Sequence, residues 1–183
     1  MDISTTNDYK NYNWEKINIL NNKIPTSYLG FLSGLLLCVI VIHVITKFIF
    51  SEPIEFRFYK KLYLILIIIP VHEMLHFVAL PDYKSGKLCF SFRNLSFFTL
   101  SDVTFSRNRF IFISLIPLIL LTIIPFIFLY YFQYEWIVYI LIYNLAGSGM
   151  DILYSLKAIS FPKQTKIKFI GKEMYTYTFA TRN

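Results

Sequence analysis

The stretch Leu62-Tyr63-Leu64-Ile65-Leu66-Ile67-Ile68-Ile69-Pro70-Val71-His72-Glu73-Met74-Leu75-His76-Phe77-Val78-Ala79-Leu80 is apolar throughout except for three ionisable side chains, His72, Glu73 and His76. About 20 apolar residues suffice for a helix to cross a hydrocarbon core of about 30 Å. The run of isoleucines would suit a strand in water. In lipid a spanning segment has to satisfy its own backbone hydrogen bonds, so a helix is predicted. Each ionisable group inside such a helix costs roughly 2.5–3.5 kcal/mol on insertion scales, so three together call for a compensating role. The alternative is a His/Glu cluster at a helix end, snorkelling to water.

Working outward, three more segments have the same character. Together the expected spans are residues 28–50, 58–80, 110–132 and 136–159. The chain of 183 residues is 56% hydrophobic with 19 Phe and 14 Tyr, more apolar surface than a soluble domain of this size can bury. The fold class expected is an all-α integral membrane protein of four transmembrane helices. The 81–109 connection, with its aromatic and partly alternating segments on either side of Arg93-Asn94, suggests a small β-hairpin between the second and third. Residues 1–27 form an N-terminal segment, 28–162 the helical domain and 163–183 a basic tail, in which 166–170 could add a short strand. Pro70, Pro117 and Pro125 lie within helices and are expected to kink them. Gly30 and Gly34 form a GxxxG pattern, a mark of close helix packing.

The net charge of +7 lies in the polar stretches. Four spans put residues 1–27, 81–109 and those after 156 on one side, with three, five and six Lys or Arg, against four between residues 47 and 61 on the other. The positive-inside rule then places both termini in the cytoplasm of a cell membrane. An anionic leaflet is the expected partner of the charge, and nucleic acid is not, since no basic stripe accompanies a soluble fold. The polar first 27 residues lack a signal-peptide core, so the first apolar segment is expected to stay in the mature protein. Cys38 and Cys89 form neither a disulfide framework nor a CxxC site.

His72 and His76 stand four residues apart, which on a helix puts both imidazoles on one face where they can share one metal ion. Glu73 follows the first histidine and can act as general base without being a ligand, the HExxH arrangement of metallopeptidases. Zinc lowers the pKa of bound water to about 7 and so makes hydroxide available at neutral pH, although His and carboxylate ligands also suit other divalent ions. Six residues or so from the helix end, the histidines would lie on the order of 10 Å below the cytoplasmic face, so water needs a way in.

A third ligand is expected from the fourth span. Asp151 is its acidic residue between Trp136 and Ile159, and a metal partner would explain a carboxylate there. A salt bridge to Lys157 or a loop arginine is the other reading. Asn144, Ser148 and Asp151 follow an i, i+4, i+7 spacing and so share a helix face, with Gly147 and Gly149 allowing close approach to the HEMLH helix. Asn144 and Ser148 are candidate substrate-binding residues. Asn144 could equally hold a metal ligand, stabilise an oxyanion or join two helices. Gly147-Ser148-Gly149 could suggest a serine nucleophile, but no histidine follows His76 to serve as its base. His43 stands alone, and Tyr130, Tyr131, Tyr134 and Trp136 read as an interfacial aromatic belt.

HExxH in one span and a carboxylate in a later one, after an Asn and small residues, resembles the site-2 protease type of intramembrane metallopeptidase. More closely the chain resembles the small bacterial zincin peptidase family DUF3267, over about residues 55–160. The residues that carry the likeness are His72, Glu73, His76, the Arg107-Asn108-Arg109-Phe110 entry to the third span with Pro117, and the Asn144 to Asp151 run. The resemblance implies that His72, His76 and Asp151 hold Zn2+, and that Glu73 activates water and protonates the leaving amine. It departs from site-2 proteases after Asp151, where Ile152 replaces the usual Gly, and in lacking a Pro between the Asn and the Asp. The expected activity is that of a zinc metalloprotease cutting peptide bonds of membrane-embedded or membrane-adjacent substrates. The alternative is a non-enzymatic zinc-binding membrane protein, a helper or immunity-type factor.

Overall fold

The structure, a computed structural model, describes residues 15–16, 26–50, 58–81, 86–91, 96–101, 103–170 and 173–177. In chain order the described elements begin with β1 (Glu15–Lys16) and α1 (Thr26–Phe48), followed by a 3-10 turn over Phe58–Leu64 that runs into α2 (Ile65–Val78). Next come β2 (Gly86–Ser91), β3 (Ser96–Ser101), β4 (Phe105–Ser106) and α3 (Arg107–Leu118). A π-helical stretch, Ile119–Ile123, leads to α4 (Ile124–Phe132), and α5 (Glu135–Gly147), α6 (Gly149–Ile159), β5 (Lys166–Ile170) and β6 (Glu173–Tyr177) complete the chain.

The protein is mostly helical. Three helical runs are long and apolar enough to cross a membrane: Tyr28–Phe48, Lys61–Val78 and Arg107–Phe132. The third stays continuous despite its prolines. Pro125 has no N–H to give to the carbonyl four residues back, and the chain accommodates it by widening one turn, with Ile124 N–H reaching Ile119 O. After α4, Gln133 takes a left-handed conformation with φ of 50° and its N–H bonds Leu129 O at 2.9 Å, reversing the chain directly into α5.

The segment expected as the fourth span, residues 136–159, is helical but consists of two helices. α5 and α6 meet at Ser148 with a bend of 54°. The cause is local. Gly147-Ser148-Gly149 joins two poor helix formers to a residue whose side chain competes for the backbone. Both Ser148 N–H and Ser148 Oγ donate to Asn144 O, each at 2.8 Å.

The glycines also pack elsewhere than the spacing predicts. Gly149 lies against α1, where a Cβ would collide with the backbone of Gly30, while a Cβ at Gly147 would meet nothing. Gly30 and Gly34 do face a close neighbour, Met150 and the Leu145–Ala146 backbone. Ser33 Oγ stitches this crossing, 2.8 Å from Gly30 O and 3.2 Å from Gly149 O. Gly149→Val is accordingly expected to destabilise the fold by about 3 kcal/mol or more, and Gly147→Ala to leave it unchanged. Thermal unfolding of the two purified variants checks the contrast.

Two apolar cores result. One joins α1 to α4 and α5 through Cys38, Ile45, Leu129, Val138, Leu141 and Leu145. The other lies at the far ends of α2, α3 and α6, where Leu80, Phe110 and Ala158 meet Phe105, Ile167 and Met174 from the strands. Those strands were only partly foreseen. The expected hairpin is present as β2 and β3, paired antiparallel from Gly86–Ser101 to Ser91–Ser96. An all-α reading is nevertheless incomplete, because a four-stranded sheet of order β1-β6-β5-β4 brings together the N-terminal segment, the entry to α3 and the tail. The tail is thus a packed lid over a helical core, with Ile167 and Met174 buried, rather than only a solvated basic face.

Candidate metal centre

The HEMLH segment lies near the C-terminal end of α2, and the four-residue spacing does bring both imidazoles to one face. Their rings meet edge to face, with centroids 4.9 Å apart. Asp151 arrives from the first turn of α6. The break at Ser148 makes this possible. It creates a helix N-terminus within an apolar segment, where the backbone dipole favours a carboxylate. His72 Nε2 lies 3.1 Å and His76 Nε2 3.4 Å from Asp151 Oδ2, and the two Nε2 atoms lie 3.2 Å apart. The side chains are secluded, with exposures of 9%, 12% and 22% for His72, His76 and Asp151.

The second ring of contacts decides what this triangle can bind. His72 Nδ1 lies 2.9 Å from Asn144 Oδ1. The Asn144 amide nitrogen donates to Pro117 O at 3.2 Å and to Thr122 Oγ1 at 2.8 Å, so its oxygen is the acceptor and His72 Nδ1 carries the proton. His76 Nδ1 lies 2.9 Å from the carbonyl of Ile113, which can only accept. Both protons are thereby held on Nδ1, and both Nε2 lone pairs point at each other and at a carboxylate oxygen. Three acceptors so close repel unless something positive lies between them. A proton relieves one such contact, whereas a divalent cation relieves all three. Two ligand atoms about 2.0–2.1 Å from a tetrahedral zinc stand about 3.3 Å apart, which the three observed separations match. Among the described residues, His72, His76 and Asp151 form the group able to hold a metal ion.

The other candidate residues divide clearly. Glu73 is half-buried on the same turn as His72. Asn144, 1% exposed, spends its whole amide on His72, Pro117 and Thr122, and so holds a ligand, one of the roles open to it from sequence. Ser148 is fully buried, with its hydroxyl on Asn144 O, so neither it nor Asn144 presents a free donor to a substrate. Sequence reasoning missed Thr122 and the carbonyl of Ile113. A backbone acceptor leaves no mark on residue type, although Pro117, four residues after Ile113, was a usable signal. The entry to α3 also does unanticipated work. Arg109 donates to Ala79 O at 2.6 Å, at the end of α2, and Arg107 donates to Phe161 O at 2.8 Å, just past α6. Two guanidinium groups thus hold the C-terminal ends of the two helices that carry the triangle.

Asn144→Leu leaves His72 Nδ1–H without its acceptor. Metal affinity is expected to fall about 10- to 100-fold, as for other lost partners of ligating histidines. Competition against a chelator measures it.

The DUF3267 family model, described as "Putative zincin peptidase", matches residues 65–166. That span runs from the start of α2 to the start of β5 and contains every residue of the centre. No curated protein and no solved structure matches the chain.

Proposed function

Since the chain belongs to the zincin peptidase family DUF3267, we propose that it is an intramembrane zinc metallopeptidase that hydrolyses peptide bonds in membrane-embedded or membrane-adjacent segments of other proteins. The observation that carries this reading is the triangle of His72 Nε2, His76 Nε2 and Asp151 Oδ2, with both imidazole protons tied down on the far side. His72, His76 and Asp151 hold the zinc ion. When bound, zinc supplies a Lewis acid that polarises the scissile carbonyl and acidifies water. Glu73 takes a proton from the attacking water on its carboxylate and returns it to the leaving amine. Asn144 and Ile113 keep the two imidazoles in the tautomer whose Nε2 faces the site. With Asn144 fully committed, the oxyanion donor is another group.

The lipid bilayer is the solvent in this reading. Leu66 and Ile67 on α2 are 77% and 56% exposed, and the apolar face of α1 with Leu32, Leu36 and Val39 is equally bare. Pairing in the sheet supports four crossings. β4, just before the third apolar run, pairs with β5, just after the bent pair, so an even number of crossings separates them. In this reading the Arg107–Phe132 run crosses once, and α5 with α6 cross back as one broken span. The pairing of β1 with β6 supports one side for these two strands, and the lysine and arginine distribution favours the cytoplasm for that side. The centre, near the cytoplasmic end of α2, lies on the order of 10 Å inside the membrane.

Profiling of peptide N-termini in membranes from cells with and without the chain tests the reading. New termini within or beside apolar segments are expected. Identical profiles under conditions where the protein is present and metal-loaded would overturn it.

A further inference from the structure

We infer that Pro117 is a positioning residue for the metal centre, because its missing N–H leaves the Ile113 carbonyl open to His76. In a continuous α-helix the carbonyl of residue 113 accepts from the N–H of residue 117. Here residue 117 is proline, within α3, and has no N–H. The carbonyl that loses this donor is the one His76 Nδ1–H reaches at 2.9 Å. Ile113 and Pro117 are both buried, so water does not supply the missing donor easily and an imidazole N–H does. Orientation of His76 is therefore written into the sequence four residues downstream of the acceptor, on another helix.

Pro117 also serves the second histidine through its own carbonyl. Pro117 O accepts from the Asn144 amide at 3.2 Å, and that amide holds His72 Nδ1–H. One residue in α3 thus sets the outer contacts of both imidazoles. Its missing donor acts on His76, and its carbonyl acts on His72 through Asn144. A proline kept for bending alone would account for neither contact.

This inference rests on the metal-site reading, and the experiment separates the two. Zinc affinity is measured by chelator competition for wild type, Pro117→Ala and Pro117→lactic acid, the last introducing a backbone ester that lacks the N–H without the proline ring. Pro117→Ala returns an N–H that competes for Ile113 O. Its zinc affinity is expected to drop about 10- to 100-fold, while thermal stability of the metal-free protein holds or rises, since alanine suits a helix better than proline. A structural role alone would lower stability along with affinity. The ester variant is expected to keep affinity within threefold of wild type. Unchanged affinity in Pro117→Ala, or a loss of tenfold or more in the ester, overturns the inference, and the second arm decides even if the alanine variant does not fold. Failure of the wild-type protein to bind zinc overturns the metal-site reading itself.

Discussion

Purified Asp151→Ala is expected to carry no stoichiometric zinc after dialysis, whereas the unaltered protein carries one ion per chain. Structural zinc sites bind with about 10–16 kcal/mol shared over their ligands, so one ligand is worth roughly 3 kcal/mol, or about 100-fold or more in affinity. The effect should exceed the typical value, because the two remaining Nε2 atoms, 3.2 Å apart, lose the negative partner that faces them both. Stability should fall as well. In the metal-free protein both histidine Nε2 atoms face the Asp151 carboxylate, and removing one partner of a buried pair destabilises. Metal-free Asp151→Ala is therefore expected to unfold at a lower temperature than metal-free wild type. Elemental analysis and a thermal scan read both arms. Unchanged zinc content would remove Asp151 from the ligand set and with it the triangle on which the metal reading stands.

Glu73→Gln is expected to lower turnover by about 10³-fold while zinc content stays at one per chain. A general base contributes about 10²–10⁴ in rate, and glutamine keeps the size of glutamate but cannot take up the proton. Glu73 lies next to His72 in sequence and is half-buried on the same helix, yet it stands outside the Nε2–Nε2–Oδ2 triangle. Its loss should therefore leave the ligands in place. The two readouts together separate the competing readings. Zinc retained with new membrane-protein termini abolished supports a peptidase. Zinc retained with full biological activity would mean that the centre serves a non-enzymatic zinc-binding protein. Co-loss of zinc would show that Glu73 belongs to the first ring of ligands.

Much of this was legible in the chain itself, for identifiable reasons. Long apolar runs have one backbone solution in lipid, so four helical segments near the observed ones could be read from composition. The i, i+4 pair of histidines is a purely local geometry, as is the glutamate beside it. Asp151 could be found because a lone carboxylate in an apolar run is too costly to be idle. The family resemblance rested on these same residues, and the match over residues 65–166 bears it out.

What tertiary structure alone decided is how those residues are aimed. Gly147-Ser148-Gly149 announces weak helix propensity, but the 54° bend that turns Asp151 towards α2 depends on α1 filling the space against Gly149. The Ile113 carbonyl and Thr122 could not be read as site residues, because a backbone acceptor and a buried hydroxyl acquire meaning only from what packs opposite them. The four-stranded sheet is likewise hard to read locally beyond the strand at 166–170, since β1 and β4 are two residues long and find their partners β6 and β5 far along the chain, as in Glu15 with Thr176 and Phe105 with Ile167. Residue identity and short-range spacing thus determine which chemistry the chain can perform. The long-range packing of α3 and α5 on α2, and of α1 on α5 and α6, determines where the lone pairs point, because orientation is a property of neighbours that the linear sequence does not hold next to one another.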